Sequence, residues 1–554
     1  MMRTAIPLAL AAAGGLLPAQ ILPPAARPRL VVLCVVDQLP SWVYAQAEPH
    51  LAATGGFRRL ARDGVTFPLC AFEHACTETG PGHATIGTGA PASAHGIVRN
   101  TWWSPTDGAK VYCVGDEAEA LPDLPDGGGR GPGRLRAPTF AASLKAHIAG
   151  SKVVSVAWKD RAAILMAGAD ADVAAWIETR TGTLTTNRSW VDETPAWIAE
   201  FNEARVLDRW FGLIWEPSGP QAAYAGLVDD RNSEWVHQNG SLSRTLPQPL
   251  TGGKDEPTAA YYEQLYASPF GNSAVRLAAE AAVRDMELGL DDAPDLLCVG
   301  FSSTDLVGHY FGPESVEARD ALLRLDAELA AFWRTLDERV GKGRWAVFLT
   351  SDHGVAPTPE HAKANGVAAG RGPIDAWVRS AAEKALRTAF VEPADGARLI
   401  AHVGEGAIYL DDATLASTGL VASRDEVARV AARAAAGVRG VLTAYATADV
   451  VDYDGSDPIR RALRYAVAPD RAGDVQIVQQ PYWLNGGLPA SHGTPHPYDR
   501  EVVAFALGPG LPAGARLAAP ITPGFGVGLL ARMLGIPKPS AAPERIPPGL
   551  LVTR

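Results

Sequence analysis

Apolar, β-branched segments that end in charged side chains recur along this sequence, and they constrain the fold more than any other feature. The first, residues 30–36, reads LVVLCVV and is followed at once by Asp37. Runs of this kind are typical of strands buried on both faces of a parallel sheet. The pattern returns as VVSVAW before Lys159 and Arg161, DLLCVGFSST before Asp305, and WAVFLTS before Asp352 and His353. Because parallel strands end at one sheet edge, where open α/β folds bind ligands, we expect these side chains to meet there.

Helical patterns lie between the predicted strands. Residues 315–340, for example, repeat apolar side chains at spacings of three and four. We therefore predict an α/β fold with a central, mostly parallel sheet flanked by helices on both faces. One domain is expected over residues 27–554. Residues 122–137 and 180–260 fit this alternation poorly, and we predict that insertions at roughly 110–140, 180–290 and 360–490 cap the active-site edge of the sheet.

The amino-terminal segment has the layout of an export signal. Arg3 precedes an apolar run of alanine and leucine, and Pro-Ala-Gln follows that run. We expect a signal peptide over residues 1–26, with its cleavage point left open, and a periplasmic or secreted protein. No later segment has the ~18 continuous apolar residues that span a bilayer, so no stable membrane insertion is expected.

The charge balance argues against a nucleic-acid partner. The chain carries 50 basic and 61 acidic residues, a formal charge of −11, and no lysine or arginine tract. A small phosphate-bearing substrate remains compatible with this charge, because a few cations or metal ions can invert the field inside a cleft. We expect a monomer that acts on small molecules.

The five cysteines do not predict a thiolate metal site, since none are paired as C-x-x-C. Cys34 and Cys298 lie in strand-like runs and are expected to be buried hydrophobic residues. A disulfide among Cys70, Cys76 and Cys113 is allowed in an oxidising compartment, and the sequence leaves it open.

Residues 76–90, CTETGPGHATIGTGA, resemble a phosphate-binding glycine loop but match neither common template. A P-loop needs Lys and Ser/Thr directly after its second glycine, and Thr88 and Gly89 occupy those positions. A Rossmann turn needs a third glycine where Thr85 stands. What remains is a short helix with Pro81 near its start and Thr79 just outside its amino terminus. There the helix field and free N–H groups would stabilise an alkoxide or a bound anion.

Candidate metal ligands follow the other strands. Asp305 and His309 are four residues apart and would share one helix face. A later segment, ASHGTPHPYD, adds His492 and His496 as alternatives. Together with the acids and histidine at the strand ends, these residues are enough to hold two metal ions.

In chain order these motifs resemble the alkaline phosphatase superfamily. More closely, they resemble its periplasmic, phosphate-irrepressible alkaline phosphatases, which belong to the branch of nucleotide pyrophosphatases and phosphodiesterases and use a threonine nucleophile. The motifs are Asp37 and residues 79–83 (TGPGH), 95–100 (HGIVRN), 159–161 (KDR), 304–309 (TDLVGH), 351–354 (SDHG) and 492–495 (HGTP).

The resemblance implies two zinc ions. Asp305, His309 and His492 would hold one, and the other would be held by Asp37, Asp352, His353 and the oxygen of Thr79. His492 is preferred to His496 because its His-Gly context matches the family ligand.

The resemblance also implies the chemistry. Thr79 would attack a phosphate monoester and form a phosphothreonine that water then hydrolyses, with zinc activating the nucleophile and stabilising the leaving oxygen. Lys159, Arg161 and Asn100 would contact the non-bridging phosphate oxygens. Because a monoester dianion carries one more charge than a diester, the two cations are expected to favour monoesters.

Three alternatives remain at this point. The first is a phosphodiesterase or nucleotide pyrophosphatase of the same superfamily, against which the Lys-Asp-Arg triplet counts. A sulfatase is disfavoured because residues 76–80, CTETG, lack the C-x-P-x-R motif. The third is a metal- or phosphate-binding protein without turnover, which the intact Thr79 and both ligand sets disfavour.

Overall fold

The structure is a computed structural model. It describes residues 27–116, 128–228, 245–390, 396–418, 422–543, 547 and 550. The signal peptide predicted over residues 1–26 lies outside the described residues, as do parts of the three predicted insertions. No helix in the described ranges is both long enough and apolar enough to cross a membrane.

A mixed, mostly parallel sheet forms the centre of the molecule. The strands used below are β1 (Leu30–Val36), β2 (Val65–Thr66), β3 (Val153–Ala157), β4 (Val173–Glu178), β5 (Thr183–Thr185), β6 (Asp295–Phe301), β7 (Trp345–Thr350), β8 (Ile400–Gly404), β9 (Ala407–Leu410), β10 (Val441–Ala446), β11 (Val475–Gln479), β12 (Ala504–Leu507) and β13 (Ala515–Arg516). In the described residues the central sheet has the order β13-β2-β12-β7-β1-β6-β3-β4-β5. Strands β7, β1, β6, β3 and β4 run parallel, whereas β12 and β5 pair antiparallel to their neighbours in this group.

The helices are α1 (Ser41–Ala47), α2 (Gly56–Asp63), α3 (Thr79–Thr88), α4 (Ala92–His95), α5 (Phe140–His147), α6 (Asp160–Ala167), α7 (Ala196–Glu203), α8 (Ala259–Tyr266), α9 (Pro269–Asp285), α10 (Ser303–Phe311), α11 (Val316–Leu336), α12 (Pro359–Ala364), α13 (Ile374–Ala389), α14 (Asp412–Ser417), α15 (Arg424–Ala436), α16 (Ala448–Val451), α17 (Pro458–Arg464), α18 (Pro497–Arg500) and α19 (Phe525–Leu534). Shorter strands lie at Cys70–Ala71, Thr101–Ser104, Ala109–Tyr112, Ile214–Trp215, Gln248–Pro249, Gly370–Gly372, Trp483–Asn485 and Glu501–Val502.

The sheet separates two hydrophobic cores, and β1 contributes to both. Successive side chains of a strand point to opposite faces. Leu30, Val32 and Cys34 accordingly pack with α2, α9 and α11 on one face, while Val31 and Leu33 pack with α5 and α19 on the other. Every residue of β1 is buried. The prediction of a central, mostly parallel sheet with helices on both faces is confirmed.

A smaller sheet lies within residues 360–490, one of the predicted insertions. Its strands have the order β8-β9-β11-β10 in the described residues. Helices α13 and α15 pack on it through their own hydrophobic cluster. That this insertion and the other two cap the active-site edge stays a prediction.

All five cysteines are described, and each is a buried free thiol. Cys34 and Cys298 are fully buried in the central strands, as the apolar runs predict. The disulfide that the sequence left open among Cys70, Cys76 and Cys113 is not formed in this structure.

Candidate active site

The carboxyl ends of the central strands carry the predicted acids and the predicted lysine. Asp37 follows β1, Lys159 follows β3, Asp305 lies in α10 just after β6, and Asp352 follows β7. All four side chains are at most 7% exposed. Because β3, β6, β1 and β7 are neighbours in the sheet, these residues come together at one edge, as the strand pattern predicts.

Thr79 is the first residue of α3 and is buried, 1% exposed. The sequence pattern predicts that Thr79 lies just outside this helix and that Pro81 occupies the first helical position. The helix instead begins two residues before the proline. Proline is tolerated there because the N–H groups of the first turn have no partner within the helix. The helix amino terminus still lies next to the Thr79 hydroxyl, where the helix field favours negative charge.

Two cations approach that hydroxyl. The Nζ of Lys159 lies 3.1 Å from Thr79 Oγ1, and Nη2 of Arg161 lies 3.4 Å from it. Two residues that follow a strand in an extended segment can point the same way, which is how the sequence predicts a shared role for Lys159 and Arg161. That prediction of an extended segment is wrong for Arg161, which belongs to the first turn of α6, while Lys159 is the extended residue before that helix. Residues 160–167, DRAAILMA, are rich in strong helix formers, which explains the early start. Both side chains nevertheless point to the same hydroxyl.

Asp37, Asp352 and His353 form one buried cluster able to hold a metal ion. His353 Nε2 lies 3.4 Å from Asp37 Oδ1 and 3.5 Å from Asp352 Oδ2. Among the described residues, none of these three atoms has a hydrogen-bond partner. Buried polar atoms are almost always hydrogen-bonded, so three converging atoms without such a partner are available to a cation. The donor set of two carboxylates and one imidazole suits Zn²⁺.

Asp305, His353 and His492 form a second such cluster. Asp305 Oδ1 lies 3.6 Å from His492 Nε2 and 3.2 Å from His309 Nε2. Asp305 and His309 therefore do meet on one face of α10, as their spacing predicts. The structure brings all six predicted protein ligands together with Thr79, and it adds His353 to the neighbourhood of Asp305.

Backbone carbonyl groups orient the three histidines. Nδ1 of His309 lies 2.8 Å from the Ala490 carbonyl, and Nδ1 of His492 lies 2.7 Å from the Thr77 carbonyl. His353 has the equivalent contact, 3.0 Å, with the carbonyl of Gly354. A carbonyl can only accept, so each Nδ1 carries a proton and each Nε2 is the ring atom that faces the acids. This is the arrangement that metal-binding histidines use.

His496, the alternative to His492, is placed elsewhere. Its Nε2 lies 2.8 Å from the carbonyl of Gln479, and its ring packs 5.3 Å from the ring of Tyr498. His492 instead stacks on His353 with 3.6 Å between ring centroids. The geometry therefore favours His492, as the sequence interpretation did.

Asn100 lies beside the amino terminus of α3. Its Oδ1 accepts a hydrogen bond of 2.6 Å from the backbone N–H of Gly80. This contact fixes the orientation of the amide, because only the oxygen can accept. The Nδ2 hydrogens are not needed for that contact and can serve as donors to a bound oxyanion.

Sequence reasoning missed two residues of the site. Gln38 Nε2 donates to Asp305 Oδ1 over 2.6 Å, and its backbone N–H donates to Asp352 Oδ1 over 3.1 Å. His83 Nδ1 lies 2.9 Å from the Thr79 carbonyl and 3.2 Å from Asp352 Oδ2. Gln38 directly follows the strand-end acid, and His83 lies four residues after Thr79 and therefore on its helix face. Both positions could have been considered on those grounds.

Burial and mutual repulsion shape the charges of the cluster. Burial raises the pKa of Asp37 well above its ordinary value, and the charge of Asp352 adds to the rise. Burial acts in the same direction on Asp352, but His353 and His83 outweigh it and lower the pKa of that carboxyl. Burial lowers the pKa of His353 to about 3, which keeps its imidazole neutral. Three buried carboxylates thus lie close together, of which Asp37 and Asp305 pair with the ammonium of Lys159, and further positive charge would stabilise them.

A cavity of about 390 Å³ opens beside these residues and is lined by Lys159, Arg161, Asp305, His309 and the aromatic side chain of Tyr266, among others. Its size suits a small organic ligand. A larger groove of about 570 Å³, between α7 and α9, contains none of the predicted site residues.

Comparison with known proteins adds independent information. The family model for Type I phosphodiesterase / nucleotide pyrophosphatase matches residues 31–491. Alkaline phosphatase PafA of Elizabethkingia meningoseptica is 31% identical over 517 residues, which cover 90% of each chain. Alkaline phosphatase PhoK of Sphingomonas sp is also 31% identical, over 86% of this chain and 83% of that protein. A crystal structure of wild type alkaline phosphatase PafA has a TM-score of 0.86 at 29% identity and covers 95% of this chain and 99% of its own.

Proposed function

The chain belongs to the Type I phosphodiesterase / nucleotide pyrophosphatase family within the alkaline phosphatase superfamily, and on that premise we propose that it is a metal-dependent phosphate monoester hydrolase with Thr79 as its nucleophile. The resemblance read from its motifs is thereby confirmed. The curated relatives named alkaline phosphatase support monoester hydrolysis as the activity of this chain. The nucleophile, the metal and its ligands are supported by the site geometry.

The position of the Thr79 hydroxyl carries the proposal. It lies at the amino terminus of α3, within 3.1 Å of Lys159 Nζ and 3.4 Å of Arg161 Nη2. A threonine that only capped a helix would not need two cations, one buried and one partly buried, at its oxygen. These charges lower the cost of forming an alkoxide and of bringing an anionic phosphate to it.

The two clusters fit two divalent cations, and we assign them to Zn²⁺. Asp37, Asp352 and His353 would hold one, and Asp305, His309 and His492 the other. The fit rests on the buried atoms without hydrogen-bond partners and on the three imidazoles, whose Nδ1 atoms contact carbonyls and whose Nε2 atoms face the acids. Bound zinc would supply Lewis-acid stabilisation of the attacking and leaving oxygens.

The reaction has two steps. In the first, Thr79 Oγ1 loses its proton and forms a bond to phosphorus, the bond from phosphorus to the ester oxygen breaks, and the proton ends on the oxygen of the released alcohol. In the second, water attacks the phosphothreonine, inorganic phosphate leaves and the hydroxyl is restored. Lys159, Arg161 and the Nδ2 hydrogens of Asn100 would stabilise the non-bridging oxygens in both steps.

The two cations favour monoesters over diesters. A monoester dianion brings more negative charge to Lys159 and Arg161 than a diester monoanion does, and both cations are held at the nucleophile. Diester hydrolysis remains the second candidate, because the matched family model is named for phosphodiesterases. The expected substrate range is broad and consists of small phosphomonoesters that fit the cavity beside Lys159.

Export through the segment at residues 1–26 is part of the proposal. Its basic, apolar and small-residue regions are those of a signal peptide. The protein would then act in the periplasm or outside the cell.

One experiment tests the proposed function. Turnover of an aryl phosphate and of its methyl diester is compared in wild-type protein and in Thr79→Ala, each after chelation and after zinc is restored. The expected result is faster monoester turnover that depends on zinc and on Thr79. Faster diester turnover would favour the second candidate, and the absence of turnover on both esters would indicate a binding protein.

A further inference from the structure

Glu78 precedes the nucleophile, yet its side chain does not cap the helix that begins there. It reaches instead to the segment that carries Asn100. Oε2 accepts the backbone N–H of Asn100 over 2.7 Å, and Oε1 accepts Nη1 of Arg99 over 3.0 Å. The ion pair is largely buried, with side-chain exposures of 14% for Glu78 and 11% for Arg99. Both carboxylate oxygens are therefore engaged by donors.

Arg99 extends the contact to the loop of His492. Its Nη1 also donates to the carbonyl of Gly493 over 3.2 Å. The same loop is held a second time by the residue before Glu78, because Thr77 Oγ1 donates to the Thr494 carbonyl over 2.9 Å. Glu78 and Arg99 thus connect three segments, which carry the nucleophile, the phosphate-binding amide and a metal-binding histidine.

The Asn100 amide is held from two sides. Glu78 fixes its backbone N–H, and the N–H of Gly80 fixes its Oδ1. With both ends held, the Nδ2 hydrogens can keep a constant direction relative to Thr79, because the two residues that hold Asn100 are the chain neighbours of Thr79. Such support of a ligand-binding group by a buried, charged neighbour is how active sites obtain their precision.

We infer that Glu78 is a positioning residue, which acts through Asn100 and Arg99 to hold the phosphate-binding amide and the His492 loop in register with Thr79. The inference rests on the proposed function for its kinetic readout. Both hydrogen-bond partners of the Glu78 carboxylate are donors. A glutamine at this position could accept a hydrogen bond from only one of them, and its NH₂ group would face the other donor.

The test is a double-mutant cycle between Glu78→Gln and Asn100→Ala. The kcat/KM for an aryl phosphate, the inhibition constant or Kd of inorganic phosphate, the zinc content and the melting temperature are measured for each protein. Glu78→Gln is expected to lower kcat/KM and phosphate affinity by about tenfold while it retains zinc. In the Asn100→Ala background the same change is expected to cost less than about threefold, because its main target is already gone.

Glu328→Gln is the matched control. Glu328 accepts hydrogen bonds from Arg276 Nε and, over 2.7 Å, from Ser273 Oγ, and it is 21% exposed. It joins α9 to α11 away from Thr79, so its loss should lower the melting temperature without changing phosphate affinity. A Glu78→Gln variant that behaves like this control would overturn the inference, as would full additivity with Asn100→Ala.

A second variant and a second readout test the inference if Glu78→Gln does not fold or if the wild-type protein has no activity. Glu78→Asp keeps the charge but has a side chain shorter by one methylene. It replaces Glu78→Gln if that variant does not fold. The same coupling to Asn100→Ala is expected for it, and additive losses of phosphate affinity and kcat/KM would contradict the inference. If wild-type protein hydrolyses no phosphate ester, the proposed function fails. The cycle is then read from phosphate affinity alone, with the same criterion for Glu78.

Discussion

Lys159 donates through one Nζ to both Asp37 and Asp305, over 2.6 and 2.7 Å, and the same atom lies 3.1 Å from the Thr79 hydroxyl. One ammonium group therefore touches an acid from each proposed metal cluster and the proposed nucleophile. Arg161 reaches the same hydroxyl from the next helix. This arrangement makes the two cations the part of the site most sensitive to the charge of the substrate.

Lys159→Ala and Arg161→Ala are expected to discriminate between substrates. Each change should lower kcat/KM for an aryl phosphate by about 100-fold or more, since each removes a charged donor to the transition state. The loss for the methyl diester should be at least about tenfold smaller, because that substrate carries less charge. Lys145→Ala, which removes an ion pair with Asp172 at the surface of α5, is the control and should leave both rates unchanged. Equal losses on the two esters would contradict the assignment.

Metal removal is expected to destabilise the protein as well as inactivate it. Chelation leaves three buried carboxylates compensated only by Lys159 and the neighbouring histidines, so the melting temperature should fall by at least about 5 °C. Addition of zinc should restore both stability and turnover. Calorimetry with and without chelator measures the first effect, and an unchanged melting temperature would argue against buried metal sites.

The choice between the two carboxyl-terminal histidines can be tested by metal content. His492→Ala should lose zinc, because His492 Nε2 faces Asp305 Oδ1 at 3.6 Å. His496→Ala should retain zinc, since that ring contacts the Gln479 carbonyl and Tyr498. Elemental analysis of the two purified variants gives the answer. Full zinc occupancy and activity in His492→Ala would overturn the choice.

Gly82 allows α3 to pack closely against Asp352, one of the proposed metal ligands. A Cβ at this position would lie 2.1 Å from the backbone carbonyl oxygen of Asp352. Gly82→Ala should therefore cost about 1–3 kcal/mol in unfolding free energy, and turnover should fall because Thr79 moves with its helix. Gly528→Ala, in a helical position with open space around it, should be neutral or stabilising by up to about 1 kcal/mol. Denaturant unfolding compares the two variants, and equal effects would show that this close approach is unimportant.

The fold and most of the site could be predicted because both follow from local patterns. Apolar runs such as residues 30–36 predict buried parallel strands, and parallel strands place Asp37 and Asp352 at one edge. The four-residue spacing of Asp305 and His309 likewise predicts a shared helix face. These inferences need no knowledge of how distant segments pack.

The remaining features depend on contacts between distant segments. Gln38 binds Asp305, 267 positions away, and only packing of α10 on the end of β1 makes that contact. Helix α3 begins two residues before Pro81, with Thr79 inside it, because proline is tolerated in a first helical turn. The role of Glu78 appears only once the partners of its two oxygens are known.

The central claim is that Thr79 carries the phosphoryl group during turnover. The most direct measurement is mass-spectrometric mapping of protein that has been mixed with an aryl phosphate and quenched rapidly in acid. The account predicts a phosphorylated peptide with the modification on Thr79, absent from Thr79→Ala, and a burst of released phenol that matches the enzyme concentration when hydrolysis of the phosphothreonine is slower than its formation. Turnover retained in Thr79→Ala, with no phosphothreonine in the wild-type protein, would contradict it.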